Sequence, residues 1–298
     1  MILLRLVLFD GNNALVRALM ATKESTMASR GISTAALHVF INTLSHHVRQ
    51  LKPTHLIVAW DSPGKKNRID LDPQYKANRK QSETNNQDFY TRKNDSFELT
   101  DAFCFLSNIQ QVSRPGYEAD DIIAHYWNLH RKESEVFIVS SDKDYMQLLT
   151  ENTIQIRLSS ANTKTDVWDE KRAIEHFGCP VEWIPNIMAL AGDAGDNVIG
   201  IKGVGPKTAV KLLKKSNGLL ENIDDQKFLE NKNHIFTNYQ LVNLRNISID
   251  NLPPVEKFLP TMSDSVLFER YITFLEDFEM KTTLSKIQLG NLWFNGVY

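Results

Sequence analysis

Nine acidic side chains stand where chemistry would need them: Asp10, Asp61, Glu118, Asp120, Asp121, Asp142, Asp144, Asp193 and Asp196, each at an expected element end. Held together, so many carboxylates repel one another and resist leaving water. Divalent cations remove that cost, and an oxygen-only donor set selects Mg2+ or Mn2+ over zinc. The eight histidines form no HExxH pattern, and Cys104 and Cys179 form no CxxC pattern, which agrees with that choice. Two such ions about 3.5–4 Å apart can clamp a phosphate, one acidifying the attacking water and the other supporting the leaving oxygen. Taken singly, Asp10 or Asp61 could merely start a turn, and Glu118 to Asp121 could merely favour a helix N-terminus. The set is what points to phosphodiester chemistry.

Phosphate also needs positive charge. Lys76, Arg79 and Arg68 follow a strand-end Asp, and Arg17 falls within an expected first helix. Tyr75 offers an aromatic face beside Lys76 on which a base can stack. Further on, Asp193 and Asp196 run into Gly203-Val204-Gly205, which opens a basic helix carrying Lys207 and Lys211. Carboxylates three apart share one face of a helical turn, and a Gly-x-Gly turn lets backbone N–H groups meet a phosphate at the positive end of a helix. The net charge of −2 hides two basic patches, residues 62–93 and 200–216, the second with no acid at all. Local patches of this kind mark phosphate binding better than the total does.

Elements must bring these residues together. Three apolar runs end in Asp: Ile2 to Phe9 before Asp10, His55 to Trp60 before Asp61, and Val136 to Ser141 before Asp142. Such runs, separated by helical patterns, predict a parallel sheet buried on both faces. Leu37, Phe40, Ile41, Leu44 and Val48 predict one crossover helix, and Ile122, Ile123, Tyr126 and Leu129 another. Ligands of open α/β sheets bind beyond the carboxyl ends of the strands, so the three aspartates should meet at one rim. Residues 62–95 lose a core period and predict a loop or helical arch over that rim. From about 181 the chain predicts an all-helical region, with Leu267, Tyr271, Phe274 and Phe278 as core packing on a late helix. The expected organisation is therefore an α/β domain over 1–180 and a helical region over 181–298. The first apolar run is too short to span a membrane, and the unpaired cysteines fit a reduced, cytoplasmic setting.

With these residues in place, the chain resembles the 5′-nuclease (flap endonuclease) family, especially stand-alone bacteriophage enzymes and the N-terminal nuclease domain of bacterial family-A DNA polymerases. The resemblance rests on Phe9-Asp10-Gly11-Asn12, Ala59-Trp60-Asp61, Arg68 followed by Tyr75-Lys76-x-x-Arg79, and Tyr117 to Asp121. It continues through Ser140 to Asp144, Gly192 to Asn197 and Gly200 to Ala209, covering about residues 2–216. It implies a PIN-like α/β nuclease with a helical arch and a helix-hairpin-helix DNA grip. It further implies one metal near Asp10, Asp61, Glu118 and Asp120, and another near Asp142, Asp144 and Asp193, with Asp121 and Asp196 supporting. Lys76 and Arg79 would approach the scissile phosphate, and hairpin carbonyls would bind K+. Met188 stands where some phage relatives carry a lysine. No polymerase segment follows, so a separate monomeric nuclease is expected, acting with replication proteins on branched or 5′-ended duplex DNA or an RNA–DNA hybrid. A non-catalytic junction binder on the same scaffold and a PIN-type ribonuclease are the alternatives.

Overall fold

The computed structural model describes residues 4–62, 66–78, 87–158, 165–259 and 265–288. The three apolar runs become β1 (Leu4–Asp10), β2 (His55–Ala59) and β4 (Ser134–Val139), joined by β3 (Gln110–Val112), β5 (Thr153–Arg157) and β6 (Asp166–Trp168). Their order is β3-β2-β1-β4-β5-β6, with every pairing parallel except the antiparallel β5–β6 edge. That edge strand departs from the all-parallel expectation: it pairs antiparallel with the strand that precedes it in the chain. Because β1 lies between β2 and β4, the chain leaves it in opposite directions, and a cleft opens at its carboxyl end.

Alternation along β1 divides the core. Val7 and Phe9 pack with α1 (Gly11–Ala21), α2 (Ala35–Leu51) and the lower half of α4 (Gln87–Leu106), whereas Leu6 and Leu8 pack against α5 (Ala119–His130). The α2 stripe is buried as its period predicts, but on α5 it is Trp127 that enters the core, while Leu129 is 62% exposed. A short α3 (Lys66–Leu71) rises from β2, so α3 and α4 are the two legs of the arch. Helix α4 runs on past residue 95, where Leu99, Phe103 and Cys104 enter the core.

Beyond α6 (Glu170–Phe177), the helices α7 (Ile184–Ala191), α8 (Pro206–Lys215) and α9 (Gln226–Val242) share an apolar core of their own. This region is not purely helical, because Gly192–Asp193 pairs antiparallel with Val198–Ile199. Two glycines make the ribbon possible: a Cβ on Gly192 would lie 2.5 Å from the Gly200 nitrogen, and one on Gly200 would lie 2.2 Å from the Ala191 carbonyl carbon. The chain then lays Leu244 and Ile249 on the α5 side of the sheet. Helix α10 (Ser265–Asp277) returns to the other side, with Tyr271 buried and Phe274 and Phe278 packed against the same core, followed by α11 (Lys281–Gln288). Among the described residues no helix is long and apolar enough to cross a membrane.

Candidate active site

The strand-end aspartates meet at the expected rim. Asp10, Asp61, Glu118, Asp120 and Asp142 line a cavity of about 320 Å³, together with Asn12, Asn13, Lys76, Lys93 and Tyr145. Asp10 caps α1, accepting the Asn13 N–H at 2.9 Å on Oδ1, while Oδ2 accepts the Ser140 hydroxyl at 2.8 Å and the Tyr145 hydroxyl at 3.2 Å. Its carboxyl is raised to about 7: burial pushes it up most, the Asn13 and Ser140 hydrogen bonds pull it down, and Asp61 and Asp142 push it up again. Asp61 accepts the Ala119 N–H at 3.0 Å, at the start of α5. Asn12 accepts the Asp61 N–H at 2.7 Å, and Asn13 accepts the Ser141 N–H at 3.0 Å. The first turn of α1 thus stitches three strand ends together. Two amides, two and three residues after a strand-end Asp, were a readable signal for this role.

The arch foot supplies cations from one side. Glu118 and Asp121 form a reciprocal cap at the start of α5, with the Glu118 N–H donating to Asp121 Oδ2 at 2.9 Å. The Arg68 guanidinium touches Glu118, Asp120 (3.1 Å) and Asp121 (2.7 Å). Burial works to discharge it, but the surrounding carboxylates outweigh burial and hold it firmly charged. Burial and Asp120 push the Asp121 carboxyl up to about 7, against the pull of Arg68. Lys76 donates to Glu118 at 2.8 Å and lies 3.4 Å from Asp196.

Two expectations are corrected here. Arg68 is only 7% exposed and spends its donors on acids, so it presents nothing to a DNA backbone. Tyr75 is 4% exposed and packs with Val198, Leu241 and Val242, so its ring is no platform for a base. Its hydroxyl instead lies 2.8 Å from Glu118 and 3.0 Å from Asp196. Arg79 lies outside the described residues. Arg17 is half-buried, and among the described residues it makes no ion pair and does not line the cavity.

The remaining acids gather on the other side. Asp142 caps the 3-10 turn Lys143–Leu148 by accepting the Asp144 N–H at 3.0 Å. Burial, then Asp142, Asp193 and Asp196, hold the Asp144 carboxyl well above the usual range, and its Oδ1 is buried without a hydrogen-bond partner. Asp193 accepts the Gly195 N–H at 2.9 Å and pairs with Lys143 at 3.0 Å. Lys143 was readable only as the middle of an Asp-Lys-Asp run; its partner stands 50 residues away. Among the described residues no three acids converge into a ready coordination shell. Arg68, Lys76 and Lys143 lie among them instead. The donors are nevertheless all oxygen, and the orphaned Asp144 Oδ1 is a buried lone-pair group that a hard cation would satisfy. The residues fit such a metal.

The hairpin lies apart. Gly203 has φ +85°, a left-handed turn, whereas Gly205 at φ −90° is extended and caps α8 with no side-chain bond. Lys207 and Lys211 are exposed along α8, while Ala209 and Leu213 are buried. The helix N-terminus and one lysine face are therefore open to an anion. Met188 packs partly buried against the cluster that holds Tyr75.

Known proteins match this arrangement. Residues 5–178 match the family model described as 5′-3′ exonuclease, N-terminal resolvase-like domain, and residues 179–258 match 5′-3′ exonuclease, C-terminal SAM fold. The 5′-3′ exonuclease of Aquifex aeolicus is 34% identical, over 73% of this chain and 71% of its own length. DNA polymerase I of Caldicellulosiruptor bescii is 36% identical over 73% of this chain, which spans only 25% of that larger protein. Among solved structures, the bacteriophage T5 flap endonuclease in complex with DNA and metal ions superposes with a TM-score of 0.68 at 21% identity, covering 92% of this chain and 99% of the phage chain. Flap endonuclease-1 from Methanococcus jannaschii gives 0.55 at 16% identity, covering 92% and 86%. On both family models and on the exonuclease matched over most of its length, the chain belongs to the 5′-3′ exonuclease family.

Proposed function

We propose that the chain is a monomeric cytoplasmic nuclease that hydrolyses phosphodiesters at 5′ ends and flaps of DNA or RNA–DNA duplexes during replication and primer removal, using two Mg2+ ions. Mn2+ is expected to substitute. Asp10, Asp61, Glu118 and Asp120 would hold one ion, and Asp142, Asp144 and Asp193 the other, with Asp121 and Asp196 behind them. When bound, the ions lower the pKa of the attacking water and support the leaving oxygen. The chain's own residues do the rest. Ser140 and Tyr145 orient Asp10. Lys76, at the cavity wall, moves from Glu118 to the scissile phosphate, and Arg79, three residues later in the sequence, is expected to assist it. The first turn of α8, with Lys207 and Lys211, holds duplex backbone, and K+ binds the hairpin carbonyls.

The observation that carries this reading is the acid-lined cavity at the carboxyl rim of the sheet, with the arch-foot lysine inside it. The phage complex with DNA and metal ions supports it by analogy of fold. The test is incubation with labelled flap, nicked-duplex and hybrid substrates, with Mg2+ or EDTA, and mapping of the product ends. Products released from 5′ ends only when Mg2+ is present are expected. Cleavage that persists in EDTA, or none on any of the three, would overturn it.

A further inference from the structure

Arg68 spends its charge in an unusual way for an arginine in a basic stretch. It is buried on the first leg of the arch, and its two terminal nitrogens divide the acids between them. Nη2 takes Asp121 at 2.7 Å, the acid that completes the α5 cap. That contact alone would satisfy a scaffold role. Nη1 goes further, reaching Glu118 and Asp120, the two α5 acids that line the cavity. One rigid fork therefore ties a scaffold carboxylate to two cavity carboxylates. A lysine would bring the same charge as a single point and cannot span all three.

We infer that Arg68 is a positioning residue of the metal site, setting how Glu118 and Asp120 face the cavity; this rests on the metal-dependent reading above. Its guanidinium neither ligates a cation nor gives up its proton, so it acts only through the acids it holds. It also explains how Lys76 can serve two partners. Glu118 carries both cations, and Lys76 can be drawn to a phosphate because Arg68 still pairs with the carboxylate it leaves. Residues that orient metal ligands from behind cost roughly 10–100-fold in metal affinity when removed.

The experiment is a Mn2+ titration of the full chain without DNA, following free Mn2+ by electron paramagnetic resonance, on wild type, R68K, E118Q and R68K/E118Q. Wild type should bind two ions. R68K should weaken one of them by roughly 10–100-fold and leave the other within about twofold. Adding R68K to E118Q should cost clearly less than R68K costs alone, because Glu118 is one of the two cavity ligands that Arg68 holds. With flap substrate, raising Mn2+ should restore R68K turnover, with KM unchanged. Both ions weakening together with the thermal midpoint, full additivity with E118Q, or loss of the fold in R68K would each make Arg68 a scaffold residue and overturn the inference. Wild type that binds no Mn2+ would instead remove the metal reading itself.

Discussion

Two regions of this molecule carry charge in opposite ways. At the sheet rim the acids are buried and crowded: Asp10 is 6% exposed, Glu118 3% and Asp193 6%, each held by named donors. On the hairpin, Lys202, Lys207, Lys211, Lys214 and Lys215 are exposed, and among the described residues none makes an ion pair. Charges in a low-dielectric, shared network change one another's state when one is removed, whereas solvated charges act singly and are screened by salt. On the proposed function, the rim carries the chemistry and the hairpin the grip. Mutations should therefore be large and coupled in the first region, and small and additive in the second.

The largest break should come from Asp142 and Asp144, which form no ion pair among the described residues. Replacing Asp142 and Asp144 with Asn should abolish cleavage while leaving DNA binding intact or stronger, since negative charge near phosphate is removed. Binding by fluorescence anisotropy alongside cleavage of a labelled flap decides this. Wild-type rates from the double variant would show that these two acids hold nothing.

A second effect belongs to the rim in the absence of metal. Asp10 rises from 3.8 to about 7 in the folded chain. Between those values the folded state binds more protons than the unfolded one, so stability falls as pH rises from about 4 to about 7 and is level above that. A displacement of that size corresponds to about 4 kcal/mol. In EDTA, D10N should make the fall in thermal midpoint over this window shallower, with the raised carboxyls of Asp121 and Asp144 supplying the rest, and it should remove much of the stabilisation that Mg2+ gives at pH 8. A wild-type midpoint that climbs between pH 5 and 7 would contradict the buried, disfavoured carboxylate.

Lys76 stands at the boundary between the two kinds of charge, lining the cavity while paired with Glu118, and it is proposed to meet the scissile phosphate. Lys76→Ala should raise the barrier by about 2–4 kcal/mol, the scale for losing one preorganised stabiliser of developing charge. Single-turnover rates at saturating protein measure it. Lost affinity with turnover unchanged would place Lys76 with the hairpin lysines, as a binding residue.

How far the sequence could be read follows from where each partner lies. Asp10, Asp61 and Asp142 were legible because each closes an apolar run, and a buried parallel sheet leaves its strand ends on one rim. That the hairpin lysines would lie exposed on a helix was legible because they share it with a buried stripe, Ala209 and Leu213. Arg68 and Tyr75 were not. In a basic, polar segment they read as solvated or as contacts to DNA, and only the landing of Glu118 and Asp196, 43 and 121 residues from Tyr75, turns them inward. The Gly192–Ile199 ribbon escaped for another reason: two residues per strand are too few to show a period.

The smallest effect should come from the hairpin, and it is the sharpest test of the contrast. Gly203 turns the chain in a left-handed conformation, α8 starts without a side-chain cap, and Lys207 and Lys211 follow, both exposed. A surface that meets duplex backbone, as proposed for this one, should be indifferent to base sequence. Replacing both lysines with Ala should weaken binding to every duplex-bearing substrate alike and reduce the slope of log affinity against log salt by roughly two. Cleavage of short single strands, which cannot reach both arch and hairpin, should hardly change. A salt titration of binding for both proteins, paired with single-turnover cleavage at saturating protein, separates the outcomes. An unchanged slope would mean that these lysines do not meet phosphate. A collapse of single-turnover chemistry would mean that the hairpin is coupled to the rim, and the division between grip and chemistry would fail.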